Sequence, residues 1–221
     1  MMAVVALFHS VLGIRAGVED AAHRLRADGH EVRVVDQYDG RSFDDYAAGS
    51  EHVESVGYPT LMQTALDATA DLPEGFVVAG FSNGAGMAEH VALHRRVGAA
   101  LLFSGALPLP FLGASVWPAH VPVQLHYAVS DPHRNQEWVD QFLGAVRASG
   151  ARADHHEYAA SGHLFTDPSR ADEFDAEATE ELWKHVRDFL RHDQQDNVEG
   201  SMSKGVATVR RTCEKQLPGN Q

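Results

Sequence analysis

Short apolar runs alternate with amphipathic stretches along most of the chain. Ala3 to Phe8 reads as a strand. Gly17 to Ala27 follows with Val18, Ala21, Ala22 and Leu25 at helical spacing on one face. Val32 to Val35 is a second strand. Tyr58 to Ala70 is a helix, with a shorter helical stretch at Glu51 to Val56 ahead of it. Gly75 to Ala79, Ala99 to Phe103 and Val121 to Tyr127 read as three further strands. Asn135 to Ala148 carries Trp138, Phe142, Leu143 and Val146 as the apolar positions of a helix. Ala153 to Tyr158 is a weaker sixth strand. Asp172 to His192 is a long closing helix with Phe174, Leu182, Trp183, Val186, Phe189 and Leu190. Strands that alternate with helices form a parallel sheet covered on both faces, joined by right-handed crossovers. Gly105 to His120, with Pro108, Pro110 and Pro118 and no periodicity, is expected to be a loop bordering the pocket. Residues 1–193 thus read as one α/β domain. Residues 194–221 are polar and read as a disordered appendage, the alternative being a tail that folds on a partner.

One junction carries chemistry. Gly80-Phe81-Ser82-Asn83-Gly84 fits G-x-S-x-G, and it lies between the strand at Gly75–Ala79 and a helix running from Ala85 to His94. On a tight strand-to-helix turn a serine is lifted above the strand end, and small neighbours keep backbone from clashing. This is the arrangement of a nucleophile elbow. The bland alternative is an ordinary turn whose Ser82 caps the helix.

A serine needs a base to take its proton and a carboxylate to orient that base. Asp131 follows closely on the strand that starts at Val121, just ahead of Pro132. His163 lies in Ser161-Gly162-His163-Leu164-Phe165, shortly after Tyr158 and before the last helix. Ser82, Asp131 and His163 therefore come in the chain order of α/β hydrolases, each past a strand end. Asp167 would break that order, and Asp154 falls inside a strand. Two N–H donors for a developing oxyanion are expected from Asn83 and from Val11, in the loop after the first strand. If the first and elbow strands are neighbours, the strand order is 2-1-3-4-5-6, and both donors open into the crevice where the chain changes direction. His90 and His94, four residues apart on the elbow helix, have metal-capable spacing but no recognisable third ligand, so no metal is expected there.

Composition narrows the partners. The 221 residues carry a formal net charge of −13, which disfavours nucleic acid. No apolar run reaches the length of about 18 residues that suggests a membrane span. Met1 to Phe8 lacks a basic n-region and is too short for a signal peptide. The single cysteine, Cys213, cannot form an internal disulfide and fits a cytoplasmic protein.

Taken together, Phe8-His9-Ser10-Val11-Leu12-Gly13, Asp36 to Phe43, the elbow, Asp131 and the Gly-His-Leu-Phe loop resemble the dienelactone hydrolase family over about residues 3–192. The resemblance implies a compact α/β hydrolase without a large cap, acting on small esters or lactones without a metal or organic cofactor. It departs in two places. The founding enzymes carry cysteine in the elbow, where this chain has Ser82, and a glutamate in the first loop, where it has Ser10. His9, Ser10, Leu12, Arg41 and Phe165 are the candidate pocket residues, Arg41 being a candidate for a substrate carboxylate. A non-catalytic small-molecule binder on the same scaffold is the competing reading. A dinucleotide site at Gly84-Ala85-Gly86 is disfavoured, because Glu89 stands where a third glycine is needed.

Overall fold

The computed structural model describes residues 2–191. The expected tail at 194–221 and Cys213 lie outside the described residues. Six strands, β1 (Val4–Phe8), β2 (Glu31–Val35), β3 (Val77–Phe81), β4 (Ala99–Phe103), β5 (Val123–Ala128) and β6 (Ala153–Tyr158), form one all-parallel sheet in the order β2-β1-β3-β4-β5-β6. The helices are α1 (Ala16–Ala27), α2 (Tyr46–Val56), α3 (Tyr58–Ala68), α4 (Asn83–His94), α5 (Gln136–Ala148) and α6 (176–191), with a 3-10 turn at Leu109–Leu112. Among the described residues no helix is long and apolar enough to cross a membrane.

The period-two alternation of a strand divides the core into two layers. Along β1, Val5 and Leu7 face one side, with Val18, Ala21, Ala22 and Leu25 of α1 and Leu182, Trp183, Val186 and Phe189 of α6. Ala6 and Phe8 face the other, with Leu61 and Ala65 of α3, Met87, Ala88 and Val91 of α4, and Val139, Phe142 and Val146 of α5. The central strands β3 and β4 are buried throughout, as a doubly covered parallel sheet requires.

Of the boundaries that differ from the sequence pattern, three have a clear local reason. α2 begins at Tyr46 rather than Glu51, because Asp45 caps it by accepting the Ala48 N–H at 2.8 Å. It stops at Gly57, whose φ of +83° suits glycine, and Pro59 then opens α3 in its first turn. β3 runs two residues later than expected, to Phe81, and so carries the chain straight into the elbow. α6 starts at residue 176 and not at Asp172, since Asp175 caps it through the Ala178 N–H at 2.9 Å and residues 171–173 form a turn.

The sheet and α4 meet at backbone contact distance. A Cβ built on Gly80 would lie 2.0 Å from the Gly84 carbonyl oxygen. One on Gly84 would lie 2.5 Å from the His9 oxygen and 2.6 Å from that of Phe8. Further along α4, Glu89 is fully buried, and both its carboxyl oxygens lie within hydrogen-bond distance of the Leu107 N–H, at 3.1 and 3.2 Å. Burial outweighs that hydrogen bond and pushes its pKa well above the ordinary value.

Gly80→Ala sets a methyl against backbone that cannot retreat. It is expected to lower stability by at least about 3 kcal/mol, the upper end of ordinary overpacking costs; an unchanged urea midpoint would contradict this packing. Glu89 gives a pH signature. Its folded pKa lies above its unfolded one, so the folded state holds the extra proton. Stability is therefore lost as pH rises above the unfolded value of about 4.3. Relative to wild type, Glu89→Gln is expected to gain thermal stability as pH rises above that unfolded value, until the buried carboxyl itself ionises. Melting curves with a pH-independent difference would count against it.

Candidate active site

Ser82 closes β3 with φ +52° and ψ −113°, a backbone region that non-glycine residues rarely occupy. Its own N–H donates to the Phe103 carbonyl at 2.7 Å, and its carbonyl accepts the Ala85 N–H at 2.9 Å. The strained turn is thereby pinned to β4 on one side and α4 on the other.

Asp131 sits in the turn after β5. Its carboxylate accepts the His133 N–H at 2.8 Å and lies 2.8 and 2.9 Å from Nδ1 of His163. Both groups are buried. Nδ1 facing a carboxylate carries its hydrogen there, which leaves Nε2 as an acceptor. Nε2 lies 2.8 Å from Ser82 Oγ, so the hydroxyl donates to it. The structure thus brings together the three residues whose chain order pointed to them, in one hydrogen-bonded line. Such a line can take a proton from the hydroxyl and hold the resulting imidazolium beside a carboxylate. Asp167, the competing acid, is committed elsewhere: it accepts the Gly17 N–H at 3.0 Å and faces Arg15 at 3.6 Å. Asp154 pairs with Arg152 at 3.3 Å.

The loop that carries His163 is held by Glu173, in the turn before α6. Its carboxylate accepts the Leu164 N–H at 2.7 Å and the Tyr46 hydroxyl at 2.8 and 2.9 Å, and it pairs with Arg170 at 2.5 Å. Burial raises its pKa, but the N–H, the phenol and the guanidinium together outweigh that and hold it below the ordinary value. Tyr46 in turn packs edge-on to the His163 ring, with centroids 5.7 Å apart.

A cleft of about 220 Å³ opens over Ser82 and His163. Val11 and Asn83 both line it. Among the described residues the Val11 N–H makes no hydrogen bond. Asn83 is the first residue of α4, where a helix leaves its N–H without an intrahelical acceptor. The five other candidate pocket residues lie outside the cleft. His9 is fully buried, with Nδ1 against the Ser10 carbonyl at 2.8 Å and Nε2 accepting the Gln37 N–H at 3.1 Å. Ser10 is turned inward, its Oγ accepting the Leu12 N–H at 3.2 Å, and it borders a separate small crevice beside Arg15 and Asp167. Leu12 and Phe165 belong to the core, where their apolar surface is buried. Arg41 is exposed and apart from the cleft. The walls come instead from Tyr46, Ser50, Tyr58, Leu107, Tyr127, His133 and Trp138. Of these, Tyr127 and His133 had a readable signal, since they flank Asp131. Tyr46 and Ser50 had none, because they lie in the first half of α2, ahead of the stretch from Glu51 that reads as helical. Tyr58 opens the helix read from Tyr58, but nothing in that pattern aims it at the cleft.

Among the described residues no group of three or more His, Cys, Asp or Glu side chains is arranged to hold a metal ion. The His90 and His94 rings lie tilted against each other with centroids 4.2 Å apart, and burial followed by the neighbouring ring lowers the pKa of His90 to about 4. Gly84 is pressed against β1 and Gly86 against Leu107, so that these glycines receive protein rather than a nucleotide.

Similarity to known proteins agrees with this fold. Among solved structures, the chain resembles a protein named m3DLH, with a TM-score of 0.70 and 23% identity over 84% of each chain. It also resembles a dienelactone hydrolase-like promiscuous phosphotriesterase from metagenomic libraries, with a TM-score of 0.68 and 20% identity over 86% of each chain. A third likeness is to a butyrate-bound thermophilic esterase from the planctomycete Thermogutta terrifontis, with a TM-score of 0.55 and 16% identity over 86% of this chain and 83% of that one. At such identities these structures share the fold. No significant match exists among curated proteins. The model of the dienelactone hydrolase family matches residues 1–194, almost all of the chain outside the polar tail, and the chain therefore belongs to the dienelactone hydrolase family, a family of α/β hydrolases.

Proposed function

We propose that this hydrolase cleaves small carboxylic esters or lactones through an acyl-enzyme, with Ser82 as nucleophile, His163 as base and Asp131 as its orienting carboxylate. The observation that supports it most is the unbroken line from Asp131 through His163 to Ser82, with every link at 2.8 to 2.9 Å. As Ser82 Oγ attacks the acyl carbon, its proton passes to Nε2, and the Asp131 carboxylate stabilises the imidazolium. The carbonyl oxygen becomes an oxyanion, which the N–H groups of Val11 and Asn83 receive. Collapse expels the alkoxide, which takes the proton from Nε2. Water, deprotonated by the same imidazole, then attacks the acyl-enzyme and releases the acid and free Ser82. Replacing the family's elbow cysteine by serine removes a nucleophile that ionises readily, which makes the buried His163–Asp131 pair the necessary activator. The catalytic unit is taken as residues 1–193, acting in the cytoplasm on a small-molecule substrate, with 194–221 outside it.

A fluorophosphonate is expected to label Ser82, and p-nitrophenyl acetate is expected to give a burst followed by slower turnover. Ser82→Ala and His163→Ala are each expected to lower kcat by about 10⁴-fold or more, and Asp131→Asn by about 10⁴-fold. Folded protein that takes up no label and turns over no ester would favour a binding protein on this scaffold instead.

A further inference from the structure

The chemistry of the cleft wall narrows the substrate class, given the hydrolase reading. Among the described residues that line it, there is no lysine or arginine. Beside Ser82 and His163, its polar groups are the side chains of Ser50, Asn83, Ser104 and Asn135, the phenols of Tyr46, Tyr58 and Tyr127, and the imidazole of His133, so that no permanent cation faces the substrate. Two arginines stand against cleft tyrosines without lining the cleft, and both are already matched. Arg134 lies over the Tyr127 ring at 5.2 Å and is bound by Glu157 at 2.5 Å. Arg170 lies over the Tyr46 ring at 4.7 Å and is bound by Glu173 at 2.5 Å. Their side chains are only 11% and 12% exposed. Arg41, the remaining candidate for a carboxylate, is outside the cleft.

A carboxylate entering such a site would lose its hydration without meeting a lysine or arginine. It would also approach Asp131, whose charge is spent on His163. The net charge of −13 adds a long-range penalty for anions. Apolar surface, by contrast, is offered freely. Trp138 lines the cleft and is 36% exposed. Phe111, at 58% exposed, meets it edge to face at 5.2 Å and extends the same aromatic ledge outward. Tyr58 lines the cleft as well and is 47% exposed. The enclosed space is below the usual range of ligand pockets, which starts at about 300 Å³, so only a short group fits inside and the rest must lie on that ledge.

We propose that the cleft selects uncharged esters whose apolar part rests on Trp138 and Phe111, and that it rejects esters bearing a free carboxylate. Selectivity then comes from an aromatic wall and from the absence of a fixed cation facing the substrate.

The test compares p-nitrophenyl butyrate with the mono-p-nitrophenyl ester of succinic acid on the full chain, each corrected for uncatalysed hydrolysis. Labelling by a fluorophosphonate and turnover of p-nitrophenyl acetate establish beforehand that the enzyme is active. The expected result is a kcat/KM at least about 50-fold higher for the neutral ester. Ser50→Arg, an exposed α2 position on the cleft wall, is expected to narrow that ratio about tenfold by supplying the missing cation. Trp138→Ala is expected to raise KM for the butyrate about tenfold, with a smaller change in kcat. An active enzyme that hydrolyses the succinate ester as well as the butyrate would overturn the proposal and leave the hydrolase reading standing. An unchanged KM in Trp138→Ala would remove the aromatic ledge from it. Absence of both labelling and acetate turnover would sink the hydrolase reading, and this one with it.

Discussion

The close seating of α4 against the ends of β1 and β3 is the constraint on which the rest of the molecule depends. Backbone meets backbone there, with Gly80 and Gly84 leaving no space for a Cβ. That contact fixes where the chain leaves β3, and so forces Ser82 into its strained conformation. Strain of this kind costs roughly 1–3 kcal/mol and persists only where the surroundings determine it from several sides. Here the surroundings are the Phe103 carbonyl, the Ala85 N–H and the doubly buried central strands. The backbone that carries the hydroxyl is therefore held in place by the sheet and by α4, and the hydroxyl itself is aimed at His163.

The parallel arrangement brings the other parts to the same rim. Because every strand points one way, the segments after β1, β3, β5 and β6 all leave the sheet at one edge. Val11, Ser82, Asp131 and His163 are far apart in sequence, yet each follows a strand that ends there. Ligands of open α/β sheets bind at this edge, beside the point where strand order reverses. In this sheet that point lies between β1 and β3, where Val11 and Asn83 stand.

Much of this was legible in the sequence, and the reason is local. Strand and helix periodicity, the small residues of the elbow, and an acid and a histidine each closely past a strand are features of neighbouring residues, readable without knowing the fold. The strand order was legible too, since a switch point needs only that β1 and β3 be adjacent. The cleft wall was not. His9, Leu12 and Phe165 looked available because they flank important positions, but each turns into the interior, and a single residue does not announce the side its side chain takes. Tyr46 and Ser50 come from the first half of α2, which carries no apolar periodicity and is set by the Asp45 cap; Tyr58 opens a helix that was legible, but the pattern does not say which wall it joins. Trp138 was read as an apolar position of its helix; in the structure it is on the cleft wall.

The carboxylate of Glu173 joins two structures that serve different ends. It grips the segment bearing the imidazole through the Leu164 N–H, and it grips a wall of the binding cleft through the Tyr46 phenol. These two attachments share one small anion, so neither can be withdrawn without leaving a polar partner stranded in a half-buried place. Under the proposed mechanism, fit at the mouth and readiness of the proton acceptor are consequently not independent variables. A guest that levers the phenol aside would loosen the loop beneath the imidazole, and selectivity would be written into rate as well as into affinity.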